Sequence, residues 1–108
     1  MPSIEQTKQM ISKLVGFNTV SKESNLNLID FVAEYLKSYK IKANLISDQN
    51  NRKANLYASV GPNVEGGIIL SGHTDVVPID GQLWNSDPFQ LTEKNKLLFG
   101  RGTCDMKR

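Results

Sequence analysis

A chain of 108 residues is long enough for one small domain, or for part of a larger one, with a modest core. Hydrophobic residues make up 39% and charged residues 22%, an ordinary balance for a globular protein. The net charge of +2, with Lys and Arg scattered rather than clustered, gives no basis for nucleic-acid binding, and no apolar run reaches the length of a membrane span. Met1-Pro2-Ser3-Ile4-Glu5-Gln6 lacks the basic start and apolar centre of a signal peptide. The single cysteine, Cys104, has no partner for an internal disulfide, which suits a reducing cytoplasm.

Ser3 followed by Gln6 predicts a capping box, and Ile4, Met10, Ile11, Leu14 and Val15 continue it as a helix that Gly16 ends or loosens. Thr19–Ser24 reads as a connecting loop. A second helix begins near Ser24 or Asn25. Its apolar stripe is Leu28, Ile29, Val32, Ala33, Leu36 and Tyr39, and Asp30, Glu34, Lys37 and Lys40 lie opposite. Ile41–Ile46 alternates as a half-buried strand does, and Asn55–Val60 is a second strand candidate after the polar turn at 48–52. Gly67-Ile68-Ile69-Leu70 reads as a short buried strand that delivers His73. Residues 76–88 are loop-like, and Phe89–Thr92 with Leu97–Phe99 flank a plausible hairpin turn. Two helices followed by several strands predict an α/β fold with a mixed β-sheet flanked by helices.

The chemistry-bearing residues are few. His73 is the only histidine, placed where loops leave strand ends in open α/β sheets. Asp75 stands two positions on, so in extended backbone both side chains point the same way. Its carboxylate can then accept from one ring nitrogen while the other nitrogen binds a metal. Asp75 equally suits a loop cap made through its own backbone. Asp105, after Gly100-Arg101-Gly102, is a second candidate ligand or a solvated residue at a glycine-rich hairpin end. With no second cysteine or histidine to activate it, Cys104 reads as a small packed residue. Trp84, Pro88 and Phe89 read as packing for the loop.

Taken together, Ser71-Gly72-His73-Thr74-Asp75-Val76-Val77-Pro78, Trp84, Ser86-Asp87-Pro88-Phe89 and Gly100-Arg101-Gly102-Thr103-Cys104-Asp105-Met106-Lys107 resemble the zinc aminoacylase and carboxypeptidase family M20, in order and in spacing. The resemblance implies that His73 binds one zinc ion. It implies that Asp105 bridges two, with cobalt as an alternative metal, and that Asp75 is the active-site aspartate supporting His73. It also implies that residues 1–108 are the N-terminal portion of a catalytic domain. The glutamate pair, a further carboxylate ligand, a second histidine and a dimerisation or lid domain then fall outside them. The implied reaction is amide hydrolysis of a small N-acyl amino acid. N2-acetyl-L-ornithine, in arginine biosynthesis, is the leading substrate, with succinyl-diaminopimelate or a peptide as alternatives. The implied setting is cytoplasmic, without nucleic acid or membrane. The whole protein is expected to be a homodimer, and residues 1–108 alone to be inactive, weak in zinc binding and prone to self-association. A remnant that acts only by binding a partner is the reading from another class.

Overall fold

The computed structural model describes residues 2–107. The element order is α1 (Ile4–Val15), α2 (Leu26–Ser38), β1 (Ala43–Ser47), β2 (Ala54–Ala58), β3 (Thr92–Lys94) and β4 (Leu97–Phe99). Helices and strands share the chain, as the α/β expectation requires. Among the described residues the strands form two antiparallel pairs, β1–β2 and β3–β4, and parallel pairing is limited to an isolated bridge between Val20 and Val76. None of the helices is long and apolar enough to cross a membrane among the described residues. The chain divides into two compact units, Met1–Glu23 with His73–Arg108, and Ser24–Gly72.

In the first unit, α1 opens with the capping box its sequence predicts. The Gln6 amide donates to Ser3 Oγ at 3.1 Å and the Ser3 amide to Gln6 Oε1 at 2.8 Å, so two otherwise orphaned helix-start donors are satisfied. Val15, at the far end of α1, is fully buried, while Ile4 is largely exposed and stands outside the stripe it was expected to join. The β3–β4 hairpin turns on Asn95 and Lys96, both at positive φ (54° and 62°). A two-residue turn with both centres left-handed matches the twist of the flanking strands. Lys8 of α1 pairs with Glu93 of β3 at 2.7 Å.

In the second unit, α2 packs against the β1–β2 hairpin. Leu28 and Ile29 are buried, Val32, Ala33 and Leu36 are half-buried, and Tyr39 is exposed beside the Tyr35 ring. Asn25 stands at the N-cap without a side-chain cap bond because its amide is engaged elsewhere. Its Nδ2 donates to Ala54 O and its Oδ1 accepts from Ala54 N, both at 2.9 Å, so it mimics a neighbouring strand for β2. The capping falls to Ser24, whose Oγ accepts from Leu26 N at 3.3 Å.

One expected element is absent. Ile68, Ile69 and Leu70 are 89%, 89% and 93% exposed and form no strand. A strand needs a ladder partner for its amides and carbonyls, and no described residue pairs with these. Gly66 and Gly67, at φ 90° and 132°, also bend the backbone just before them. His73 is therefore not delivered by a buried strand.

The β1–β2 turn is fastened by Asp48, whose Oδ1 accepts from the Arg52 amide at 2.8 Å and the Lys53 amide at 3.2 Å. The bond from the Lys53 amide, then that from Arg52, holds the Asp48 carboxyl below its ordinary value of 3.8. A depressed carboxyl adds stability that is present above 3.8 and is lost as pH falls through its folded value. Asp48→Asn is thus expected to melt below wild type at pH 7, with the gap closing in acid. Thermal melts at both pH values check this, and a gap that persists in acid contradicts it.

Candidate metal centre and its cleft

The site is built on a backbone clasp. Val76 N donates to Thr19 O at 3.0 Å and Ser21 N donates to Val76 O at 3.1 Å, forming the Val20–Val76 parallel bridge. Thr19 Oγ1 donates to Thr74 O across the same seam. Thr19, Val20 and Val76 are buried, so these bonds are shielded from competing water. The segment 19–24, expected only to connect helices, therefore fixes the loop that carries His73 and Asp75.

That loop presents the two side chains as a pair. His73 Nδ1 lies 3.0 Å from Asp75 O and 3.2 Å from Asp75 Oδ1. The second Asp75 oxygen, Oδ2, accepts from Ser21 Oγ at 3.0 Å. His73 Nε2 lies 2.8 Å from Asp105 Oδ1. The structure thus brings His73, Asp75 and Asp105 together, with the two aspartates on opposite nitrogens of one ring. Contact with Asp105, then with the Asp75 carbonyl, raises the His73 pKa above its ordinary value because both favour the ring protonated.

Asp105 reaches His73 because the glycine-flanked segment folds back tightly. Arg101 N donates to Pro88 O at 2.7 Å, and Lys107 N to Gly102 O at 2.7 Å. A Cβ on Gly100 would sit 2.8 Å from Val15 Cγ1, so this backbone lies directly on the end of α1. Gly102 takes φ 92° and is buried, with Val76 Cγ1 and Lys107 Cδ each 3.1 Å from where a Cβ would be. Lys107, only 4% exposed, donates from Nζ to Phe17 O at 2.5 Å and lies 5.9 Å from the Phe89 ring centre. Burial pushes its pKa down to about 8. Nothing in the residue pattern around Lys107 distinguishes it from a solvated lysine, so sequence reading missed it as an anchor of this loop.

Trp84, Pro88 and Phe89 are half-buried, as packing residues should be. Arg101 stacks over Trp84 at 5.1 Å and donates from Nη2 to Pro78 O at 3.3 Å and to Gln82 Oε1. Cys104 corrects an expectation: it is exposed rather than packed, because the turn 101–106 directs it away from the unit's interior.

His73, Asp75, Val76, Val77 and residues 100–105 line a cleft of about 270 Å³. An imidazole nitrogen and a carboxylate oxygen meeting at its wall are a donor set that suits zinc and related divalent cations. The set is partial, since no cluster of three or more His, Cys, Asp or Glu side chains among the described residues is placed to hold a metal.

Comparison with known proteins agrees with the motif reading. Residues 69–108 match the model of peptidase family M20/M25/M40, the segment that contains the whole cleft. The chain is 43% identical to an acetylornithine deacetylase of Buchnera aphidicola subsp. Schizaphis graminum over 97 residues, which are 90% of this chain and 25% of that protein. It is 41% identical to an acetylornithine deacetylase of Pasteurella multocida over 99% of this chain and 30% of that protein. An acetylornithine deacetylase of Shigella sonnei is 37% identical over 98% of this chain and 25% of its own length. The chain therefore carries a segment similar to the M20 family, within a similarity to proteins named acetylornithine deacetylase that spans almost all of it. It spans between 25% and 30% of the length of these curated relatives.

Gly102 and Gly81 give a matched test of the fold-back. Both have positive φ, which costs a side chain about 1–2 kcal/mol, but a Cβ at Gly81 meets nothing within 4 Å. Gly102→Ala is expected to lower the melting temperature more than Gly81→Ala and to shift the His73 ring signals in an NMR spectrum. Equal melting losses with unmoved ring signals contradict the packing described.

Proposed function

We propose that these residues form part of a zinc-dependent amide hydrolase that releases acetate from N2-acetyl-L-ornithine, in the cytoplasm and in arginine biosynthesis. The observation that carries the reading is the 2.8 Å approach of His73 Nε2 to Asp105 Oδ1 inside the segment that matches the M20 family. The names of the similar proteins support the substrate. Homodimerisation of the whole protein is part of the same proposal and rests on the family resemblance.

His73 and Asp105 are the residues that would hold zinc, through Nε2 and Oδ1. When bound, zinc would lower the pKa of a coordinated water to about 7, polarise an acyl oxygen and so make hydroxide available at neutral pH. Asp75 keeps the His73 proton on Nδ1, which leaves the Nε2 lone pair free to bind. The carboxylates lining the cleft are Asp75 and Asp105, and both are committed to His73. In this reading both serve to orient His73 or to hold the metal, so these residues supply metal-binding groups and no separate general base.

Two outcomes follow for residues 1–108 alone. Calorimetry is expected to show weak zinc binding that is lost in His73→Ala. Acetate release from N2-acetyl-L-ornithine is expected to stay at the level of a zinc-only blank. A tight stoichiometric site that survives His73→Ala, or turnover above the blank, contradicts the assignment. In a longer gene product carrying these residues, His73→Ala should cut ornithine release by about 100-fold or more. Preference for the succinylated over the acetylated substrate would overturn the substrate proposed.

A further inference from the structure

Ser21 lies outside every motif that identifies the site, yet its hydroxyl meets the face of Asp75 turned away from His73. Asp75 Oδ2 accepts from Ser21 Oγ at 3.0 Å, while Oδ1 of the same carboxylate lies 3.2 Å from His73 Nδ1. The hydroxyl has a single proton and a second acceptor, Val76 O, at 3.3 Å. A carboxylate is the stronger acceptor and also the nearer one, so the proton goes to Asp75. The Ser21 backbone is fixed independently, since its amide donates to Val76 O at 3.1 Å and its neighbours Thr19 and Val20 are buried. The hydroxyl therefore starts from a rigid mount and reaches an exposed carboxylate that would otherwise rotate about its last torsion.

We propose that Ser21 is a positioning residue that fixes the rotation of the Asp75 carboxylate so that Oδ1 faces His73 Nδ1. The consequence for metal binding rests on reading His73 as a ligand, whereas the contact itself does not. With the carboxylate held, the imidazole keeps one orientation and its Nε2 points steadily toward Asp105. Without it, Asp75 can turn Oδ1 into solvent, and His73 retains only the backbone carbonyl of Asp75 on that nitrogen.

The test compares Ser21→Thr, which keeps a hydroxyl, with Ser21→Val, which keeps nearly the same shape without one. Because His73 is the only histidine of the chain, its ring signals can be followed without assignment ambiguity. They are recorded by NMR at one pH, first without metal and then during titration with zinc chloride. The expected result is a wild-type-like metal-free ring spectrum for Ser21→Thr and a displaced one for Ser21→Val. Zinc affinity should be unchanged in the first and about tenfold weaker in the second, at the low end of losses seen for groups behind a ligand. Coincident ring spectra for the two variants, or changes in Ser21→Val confined to the neighbours of the Val76 carbonyl, overturn the assignment whether or not zinc binds. If the variants separate but wild type takes up no zinc, the positioning contact stands and the metal reading of His73 fails instead.

Discussion

The Thr19–Ser21 seam with Thr74–Val76 is the constraint on which the site depends. It consists of a few hydrogen bonds across buried residues: Val76 N to Thr19 O, Ser21 N to Val76 O, and Thr19 Oγ1 to Thr74 O. Without it, His73 and Asp75 would sit on an unsupported loop, since the strand expected before them does not form. The seam substitutes for that strand. It fixes the backbone on either side of Asp75 and leaves both side chains at the rim of the cleft.

The second arm of the site is held by packing rather than by pairing. Gly100 lies against Val15, Gly102 takes a left-handed turn against Val76 and Lys107, and the Lys107 amine is drawn in to Phe17 O. Val15 and Val76 thus link the end of α1, the His73 loop and the Asp105 turn through direct contact with two glycines. These glycines serve shape: a Cβ at Gly100 would collide with Val15 at 2.8 Å, and one at Gly102 would press on Val76 and Lys107 at 3.1 Å. Between the arms, two carboxylates face one imidazole. In the metal-free chain that arrangement favours the protonated ring, and the same negative field would favour a divalent cation.

Local rules made much of this legible. The capping box at Ser3 and Gln6, the stripe of α2 at Leu28 and Ile29, and the hairpin turning at Asn95 and Lys96 all follow from short-range chemistry. The residues His73, Asp75 and Asp105 could be picked out from their types, their spacing and the family resemblance. What could not be read depends on long-range contact. Thr19 and Ser21 resemble any polar loop until Val76 is set beside them. Asn25 resembles a helix cap until its amide is seen paired with Ala54. Lys107 resembles a surface lysine, and Cys104 a packed one, until the turn at Gly102 sends the first inward and the second outward. The apolar run at Ile68–Leu70 misled for the opposite reason: its local pattern favours a strand, but a strand also needs a neighbour to pair with.

Under the proposed function His73 and Asp105 share a cation rather than only a proton. A zinc-soaked crystal measured on both sides of the zinc absorption edge locates the metal by its anomalous signal. A peak about 2.0–2.2 Å from both His73 Nε2 and Asp105 Oδ1 is expected, with Asp75 still on Nδ1. Zinc bound elsewhere, or His73 Nε2 still hydrogen-bonded to Asp105 with the metal in excess, would contradict it.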